Sequence, residues 1–283
     1  MTEFLQAHEL AIRFVLFVGV LGVMALWELI APRRSDVVRG VRWISNLGVV
    51  ALNTAVVRLV FPTAAVGFAI VAESQGWGLF NVVAAPFWLA FVVSLLVLDG
   101  AIYIQHVMFH AVPGLWRLHR VHHADLGFDV TTGLRFHPIE ILLSMGFKIV
   151  VLAALGAPAA AVLVFEVVLN ATAMFNHGNV RVPRGLDAVL RLVVVTPDMH
   201  RVHHSIVPAE TNSNFGFNIP WWDRLFGTYR AQPAAGHDGM TIGIEQFRTA
   251  RDQWLDKMLV QPVRGPASGY PINRGDGPDA TPA

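Results

Sequence analysis

The chain has 283 residues, of which 54% are hydrophobic and 14% are charged, whereas about 25% of the residues are charged in a typical soluble domain. This composition argues against an ordinary soluble protein and favours a membrane protein. The formal net charge of +1 disfavours nucleic-acid binding, and the absence of cysteine excludes disulfides, iron–sulfur clusters, thiolate zinc sites and cysteine nucleophiles.

Three apolar stretches in the first part of the chain predict membrane helices. The run 10–30 is long enough to cross about 30 Å of hydrocarbon as a helix. The stretch 43–72 is interrupted by Arg58 and Pro62, which predicts either one kinked spanning helix or an interfacial helix followed by a short re-entrant segment. The run 80–104 predicts a further span.

Two further apolar stretches, 139–155 and 157–175, are separated by a turn signal. Gly156 and Pro158 between them predict a helical hairpin that returns the chain to the side it left. We therefore expect an all-α integral membrane protein with four or five transmembrane helices.

Basic residues cluster in the segments at one end of these spans. They follow the first run and surround the histidines, as Arg33, Arg34, Arg39, Arg42, Arg117, Arg120, Arg135, Arg181, Arg184, Arg191 and Arg201. The segments at the opposite end, 73–77 and the Gly156 turn, have neither lysine nor arginine. Because cytoplasmic loops are enriched in basic residues, we expect the histidines to face the cytoplasm and the N-terminus to lie outside.

Histidine is the residue type that stands out, because eight of the 12 histidines fall in three short motifs. These are HVMFH at 106–110, HRVHH at 119–123 and a second HRVHH at 200–204. On a helix, residues three or four apart share a face, so each motif can present imidazoles to one centre or to two neighbouring ones. Eight donors exceed the needs of one ion, which favours two metal ions.

Several catalytic signatures are absent from the chain. No glutamate follows the first histidine of a motif, which excludes the HExxH zinc proteases, and neither GxSxG nor a P-loop occurs. Two other classes remain as alternatives, a membrane metal-binding or transport protein and a metal-dependent membrane hydrolase. Transport ligands should lie near the middle of the spans, whereas these motifs lie just past helix ends, and a hydrolase would work without O2.

The order HxxxH, HxxHH, HxxHH between hydrophobic runs resembles the fatty acid hydroxylase/sterol desaturase superfamily of membrane di-iron oxygenases. The segments LHRVHHAD, TTGLRFHPIE, NHGNVRVP and SNFGFNIPWWDRLFGTYR look like those of its bacterial members. The resemblance covers about 43–261 and implies a catalytic domain of this kind there, with a cytosolic helical cap holding a histidine-rich di-metal site in the bacterial inner membrane. An N-terminal transmembrane helix with a basic cytosolic loop (1–42) precedes it.

The resemblance implies nine metal ligands for two non-haem irons, which zinc could replace in purified samples. They are His106, His110, His119, His122, His123, His177, His200, His203 and His204. Some members carry a tenth donor, a second histidine or an asparagine, near the position of His177, and this sequence has Arg181 four residues on. Asn176, Asn179, His137 or a water could provide the tenth donor and complete the coordination of that iron.

Polar residues near the motifs are candidates for supporting the ligands or adding one. They are Asp99, Asp125, Asp129, Asp198, His137 and Asn179. Asp99 is the best of these, because an unpaired carboxylate at membrane depth is costly. His137 precedes a hydrophobic run and suits the start of a helix, whereas His237 lies outside every motif and is expected on the surface.

The implied chemistry is attack on a C–H bond of a lipid, with O2 as co-substrate and hydroxylation or desaturation as the outcome. A sterol, a fatty acyl chain or a carotenoid could enter from the bilayer. Two electrons must come from a separate donor protein, because the chain has no haem domain, no iron–sulfur cysteines and no GxGxxG loop. We expect the donor to approach a basic face around Arg117, Arg120 and Arg201.

The C-terminal part has a more polar character. The segment 221–230, WWDRLFGTYR, is expected to close over the site or to anchor at the membrane interface. The segment 240–260 predicts an amphipathic helix. The remainder, 262–283, is rich in glycine and proline and predicts a disordered tail.

Overall fold

Helices form almost all of the regular structure. The structure is a computed structural model that describes residues 2–35, 37, 39–267 and 269–272. Eight helices make up the first part of the chain: α1 (Thr2–Ile30), α2 (Gly40–Val60), α3 (Ala64–Ser74), α4 (Leu79–Val82), α5 (Phe87–Ala111), α6 (Pro113–His123), α7 (Pro138–Leu155) and α8 (Ala159–Asn176).

Short helices follow α8 and form a cap with α6. They are α9 (Arg184–Leu190), α10 (Pro197–His203), α11 (Pro208–Thr211), α12 (Trp221–Leu225), α13 (Gly236–Gly239) and α14 (Leu255–Val260), with turns of 3-10 helix at Thr132–Leu134, Ala250–Gln253 and Gln261–Val263. In the described part of the chain, β pairing is limited to the isolated bridges Pro32–Val180 and Ser205–Ile242.

Five stretches are long and apolar enough to cross a membrane. They are His8–Ile30, Gly40–Val82, Phe87–Ala111, Pro138–Leu155 and Ala159–Asn176. The protein is therefore an integral membrane protein with five candidate spans, and the prediction of an all-α fold with four or five transmembrane helices is confirmed.

Pro62 separates α2 from α3. Proline lacks the N–H group that would continue the helix, and Ala64 just after it has a φ of 50°. Helix α3 then has only 11 residues, and Ala65 and Ala69 are buried where it packs against α7 and α8. The stretch 43–72 is thus divided at Pro62 into a long helix and a short packed one, and the two lie in one of the five candidate spans.

The hairpin of α7 and α8 turns at Gly156, as predicted. This residue has a φ of 66°, which favours glycine. A Cβ atom added there would lie 2.5 Å from the carbonyl oxygen of Trp77, so the close approach of the preceding loop also requires glycine.

The direction of the helices places one end of the bundle under the cap. Helices α1, α5 and α8 run towards the end that carries the histidines, and α2 and α7 run away from it. Their shared core includes the buried side chains Leu98, Leu152, Val162 and Phe165. The histidine-bearing segments are therefore held by the ends of packed helices, which restricts their movement.

A buried ion-pair network ties α2 to the loop that follows α6. Arg42 Nη1 lies 2.8 Å from Asp125 Oδ2, and Arg42 also pairs with Asp129. Burial opposes the ionisation of Asp125, but Arg42 and Arg135 outweigh it and hold the pKa of Asp125 below its ordinary value. In the described structure neither aspartate hydrogen-bonds to an imidazole, contrary to expectation, because the guanidinium of Arg42 takes both carboxylates.

The C-terminal part differs from its prediction. Residues 240–260 form no continuous helix, since an irregular stretch leads into the turn Ala250–Gln253 and then α14. Part of the 262–283 tail is packed: Tyr270 is 1% exposed and stacks on Trp116 with ring centroids 5.4 Å apart. The burial of this one aromatic ring holds the segment around it in place, which the glycine- and proline-rich composition of the tail does not predict. Residues 273–283 lie outside the described part.

Candidate metal centre

Four helix ends bring the histidines together beneath the cap. The first motif occupies the last turns of α5, the second ends α6, and the third spans α10 and the residue after it. His177 caps the C-terminus of α8. Helices α6 and α10 each begin with a proline, which fixes where the short helix starts and therefore which face its histidines occupy.

The nine histidines form two groups in which the potential ligand atoms lie within 4.8 Å of one another. The five-histidine group consists of His106, His110, His119, His123 and His203. The four-histidine group consists of His122, His177, His200 and His204. The adjacent histidines of each HxxHH motif thus belong to different groups, because successive helical residues point about 100° apart. All nine side chains are buried.

In the five-histidine group, hydrogen bonds fix the tautomers. His106 donates from Nδ1 to the carbonyl oxygen of Phe215 (2.8 Å), and His203 donates from Nδ1 to that of Ser213 (2.7 Å). His119 donates from Nδ1 to Glu140 Oε1 (2.6 Å). A neutral imidazole that carries its proton on Nδ1 has an unprotonated Nε2 that points the other way.

The unprotonated nitrogens then face one another. His106 Nε2 lies 3.1 Å from His119 Nε2, and His203 Nε2 is buried without a hydrogen-bond partner among the described residues. Two lone pairs at this distance repel unless a cation lies beside them. The donor set therefore fits a metal ion that accepts several Nε2 ligands.

The four-histidine group leads to the same inference. His177 donates from Nδ1 to the carbonyl oxygen of Ala173 (2.7 Å), so its Nε2 carries the lone pair. Three other Nε2 atoms, those of His122, His200 and His204, lie 3.1, 3.1 and 3.2 Å from it. One lone pair cannot accept three hydrogen bonds, whereas one cation can accept four imidazoles.

Burial keeps these imidazoles neutral. It lowers the pKa of His119 to about 3, and the pKa values of His122, His123 and His204 fall well below their ordinary range because neighbouring histidines add repulsion to burial. Neutral imidazole is the form that binds a metal ion, so the folded protein presents the ligands ready for binding.

Glu140 is a site residue that the sequence reasoning missed. It lies in the first turn of α7, is 4% exposed, and accepts the Nδ1 proton of His119. A carboxylate behind a ligating histidine fixes the ring and makes its other nitrogen a better donor. The sequence signal for it is the FHPIE segment, in which the glutamate lies three residues after His137.

The loop 212–217 covers the five-histidine group, and the segment 221–230 holds it there. Asp223 accepts the backbone N–H groups of Phe215 (2.7 Å) and Gly216 (2.8 Å), and the Phe215 ring packs against His106, His110 and His203. Burial raises the pKa of Asp223. The segment 221–230 thus supports the loop that covers the group, and its closing over the site stays a prediction. Asp99 accepts from Trp222 Nε1 (2.8 Å), so it supports the cap and not a ligand.

The C-terminal residues reach the same group through Asn212. His110 donates from Nδ1 to Asn212 Oδ1 (3.0 Å), and the amide of Asn212 donates to the carbonyl oxygen of Tyr270 (2.7 Å). The N–H group of Ile272 also donates to the carbonyl oxygen of His110 (3.0 Å). The segment 269–272 therefore orients one ligand, although the sequence predicts disorder for it.

Replacing Asn212 by leucine should weaken metal binding at the five-histidine group by about 10–100-fold, because His110 loses the acceptor that fixes its ring. Metal retained during titration with a chelator measures the change. Asn212→Asp keeps an acceptor oxygen and should retain most of the affinity. Equal affinities for the leucine variant and the wild type would show that Asn212 does not orient His110.

The remaining predicted support residues bind groups other than the clustered imidazoles. His137 caps the N-terminus of α7 and contacts the Leu259 carbonyl oxygen (3.2 Å), as expected for the start of a helix. Asn179 accepts from the backbone N–H of Arg34 (2.9 Å). Asp198 pairs with Arg201 on its own helix. These side chains satisfy backbone or guanidinium groups, which leaves them unavailable to the imidazoles.

Two surface assignments from the sequence are wrong. His237 is 6% exposed and its Nε2 lies 3.8 Å from Asp198 Oδ2. Arg120 and Arg201 are fully buried, so they cannot form a docking face for an electron donor. Arg120 donates to the carbonyl oxygens of Gln261 and Arg264, both at 2.6 Å, and so fastens the C-terminal segment. Charge alone does not place a residue on the surface when carbonyl groups can satisfy it.

A cavity of about 350 Å³ runs from the five-histidine group into the membrane-spanning region. His106, His119 and Glu140 line its inner end. Its walls are largely apolar, with Val50, Ile102, Phe109, Leu134, Phe136, Ile141, Met145, Leu169 and Phe217 among the lining residues. A volume of this size suits a small molecule or part of a lipid chain.

Comparison with known proteins gives several relatives. The chain is 35% identical over 142 residues to ornithine lipid hydroxylase OlsE of Rhizobium tropici, and the aligned region covers 50% of this chain and 42% of that protein. It is 26% identical over 226 residues to alkylglycerol monooxygenase of Xenopus tropicalis, and the aligned region covers 76% of this chain and 48% of that protein. It is 28% identical over 142 residues to cholesterol 25-hydroxylase of Rattus norvegicus, with 50% of this chain and 47% of that protein covered. The chain thus spans less than half the length of these relatives.

No solved structure matches the chain. Residues 91–228 match the fatty acid hydroxylase family, and this segment contains all nine histidines of the two groups as well as the loop and the segment that cover them. The fatty acid hydroxylase family is therefore the family that this chain matches, through residues 91–228 and just under half of its length.

Proposed function

We propose that the protein is a membrane lipid hydroxylase that holds one iron in each histidine group and uses O2. The observation that carries the proposal is the division of nine buried, neutral histidines into adjacent groups of five and four. Imidazole ligands suit iron, and the three relatives described above are named as hydroxylases or monooxygenases of an ornithine lipid, an alkylglycerol and cholesterol. Hydroxylation is thus favoured over desaturation.

A bound iron pair would supply the activation of O2 for attack on a C–H bond. The protein's own residues supply position and shielding. Hydrogen bonds from Nδ1 atoms to Glu140 and to the loop 212–217 hold the ligand rings in place, and the Phe215 ring covers the group on the cap side. Exclusion of water protects a reactive centre from side reactions.

The cavity supports a lipid as the substrate. Its inner end lies beside His106 and His119, and its walls come from helices that are long and apolar enough to cross the membrane. A methylene group of a chain in this cavity would lie next to the five-histidine group while the rest of the chain stays in apolar surroundings. Ornithine lipids, alkylglycerols and sterols are the first compounds to test, since they occur in the names of the relatives.

We also propose that the protein lies in the bacterial inner membrane, with the histidine groups facing the cytoplasm. The arginines near the cap end of the spans and the lack of basic residues in 73–77 support this orientation. A separate electron-donor protein on the same side would supply two electrons for each turnover. Its docking surface must use exposed residues of the cap, since Arg120 and Arg201 are buried.

The test is metal analysis combined with turnover. Protein purified in neutral detergent from iron-replete cells should bind about two irons per chain and should convert a lipid to a hydroxylated product with O2 and a reductant. Mass spectrometry with ¹⁸O2 shows whether the oxygen comes from O2. Turnover without O2 would favour a metal-dependent hydrolase, and metal release across a membrane without turnover would favour a transport protein.

A further inference from the structure

Charged residues from three helices meet at the end of the cavity that lies farthest from the histidines. Arg13 of α1 contacts Glu166 of α8 (2.5 Å) and Glu9 one turn earlier (2.8 Å). Lys148 of α7 contacts the other oxygen of Glu166 (2.5 Å). All four residues line the cavity. Ionisable groups within spanning helices are costly and commonly mark functional sites.

Arg58 adds an unbalanced positive charge to the same cavity. It lines the same cavity from α2 and has no ion pair among the described residues. Apart from Glu140 and the histidines, the charged side chains that line the cavity are three cations and two carboxylates, which leaves one net positive charge. The pairs of Glu9, Arg13, Lys148 and Glu166 would suffice to join the helices, but they do not account for a further guanidinium in the cavity wall.

Helix geometry gives the distance between the two ends. Glu140 lies at the histidine end and Lys148 lies eight residues later on the same helix, which corresponds to about 12 Å along the axis. At about 1.5 Å per C–C bond, a chain must contain at least about eight bonds to reach from one end to the other. The cavity between these ends is mostly apolar, as an alkyl chain requires.

We propose that the far end of the cavity, with Arg58 as its unpaired cation, binds the anionic headgroup of a long-chain amphiphile whose chain extends to the five-histidine group. This inference rests on the proposed lipid hydroxylase function and names the substrate class of that same site. Carboxylate and phosphate share the chemistry that a guanidinium recognises. The arrangement directs oxygen to a chain carbon remote from the headgroup.

A simpler role for Arg58 is to extend from the end of α2 towards the phosphates of the surrounding bilayer. The two roles differ in their consequences. If Arg58 contacts only bilayer phosphates, replacing it leaves the preference of the cavity for anionic over uncharged ligands unchanged. If Arg58 binds the headgroup, replacing it removes that preference.

Equilibrium binding to the purified chain in neutral detergent separates the two roles without any need for turnover. The probes are radiolabelled hexadecanoate, hexadecyl phosphate and the uncharged hexadecanol. Arg58→Gln should weaken binding of an anionic probe by about tenfold or more and leave hexadecanol unchanged, because a hydrogen bond to a charged group is lost. Arg58→Glu should weaken the anion further. Arg184→Gln, which removes an exposed arginine of the cap, should bind all three probes like the wild type.

The two anionic probes show which headgroup the cluster prefers, and a preference for either supports the proposal. Equal binding of anions and alcohol by the wild type, or unchanged anion binding by Arg58→Gln, would overturn it. Where turnover occurs, mass spectrometry should place the hydroxyl at least about eight bonds from the headgroup, and a hydroxyl beside the headgroup would overturn the proposed orientation. Absence of turnover with every lipid would refute the proposed hydroxylase, while the binding results would still decide the role of Arg58.

Discussion

Replacing His122 by alanine should lower the iron bound from about two ions per chain to about one and should reduce turnover at least about 100-fold. His122 belongs to the four-histidine group, where all four Nε2 atoms converge and no other carboxylate or histidine of the described chain joins them. Three ligands remain after the substitution, so this site loses the ion more readily than a site with a spare donor.

His203→Ala should behave differently, because His203 belongs to the five-histidine group. Four imidazoles remain there, so more of the second iron should be retained while turnover still falls by at least about 100-fold. The comparison of metal content between the two variants tests the division into five and four, and not merely the presence of metal. Equal metal loss in both variants would contradict that division.

The matched control is His137→Ala. This histidine is also buried, but it caps α7 and lies outside both groups. Loss of the cap should cost about 1 kcal/mol of stability and leave the metal content unchanged. His237→Ala is a poorer control, because His237 is packed beside Asp198 and Arg201, next to the third motif.

The ligand clusters are the part of the site that the sequence predicts best. Three spaced motifs on helices fix which histidines share a face, and the structure brings all of them together with His177. The assignment to two groups requires the crossing of α5, α6, α8 and α10, which no single motif contains. Spacing within a helix predicts neighbours, whereas the pairing of His122 with His177 depends on tertiary packing.

The roles of polar residues outside the motifs do not follow from the sequence alone, because their partners are distant in sequence. Asp99 suggests support for a ligand, yet its partner is Trp222, 123 residues away. Arg120 and Arg201 suggest a basic surface, yet backbone carbonyls, Asp198 and aromatic rings enclose them. The spans could be predicted from apolar runs, but the separate helix α3 depends on how its alanines pack.

Replacing Glu140 by leucine should weaken metal binding at the five-histidine group by about 10–100-fold and lower turnover by a similar factor. The carboxylate accepts the Nδ1 proton of His119 and thereby keeps His119 Nε2 unprotonated and directed at His106 Nε2. Without this acceptor, the ring can rotate or carry its proton on the nitrogen that should bind the metal.

Glu140→Gln separates orientation from charge, because the amide oxygen can still accept the proton but carries no negative charge. Its metal affinity should lie between those of the wild type and the leucine variant, and the Mössbauer spectrum of the ⁵⁷Fe-loaded protein should change for the iron of the five-histidine group alone. Glu28→Gln is the matched control, since among the described residues that buried carboxylate accepts from the backbone N–H groups of Val130 and Asn179 and from no imidazole. A Glu140→Leu variant with the affinity and spectrum of the wild type would show that His119 is oriented by packing alone. In that case the rings of Phe109 and Phe136 would suffice to hold the imidazole of His119, whose ring centroid lies 5.7 Å from that of Phe109 and 6.3 Å from that of Phe136.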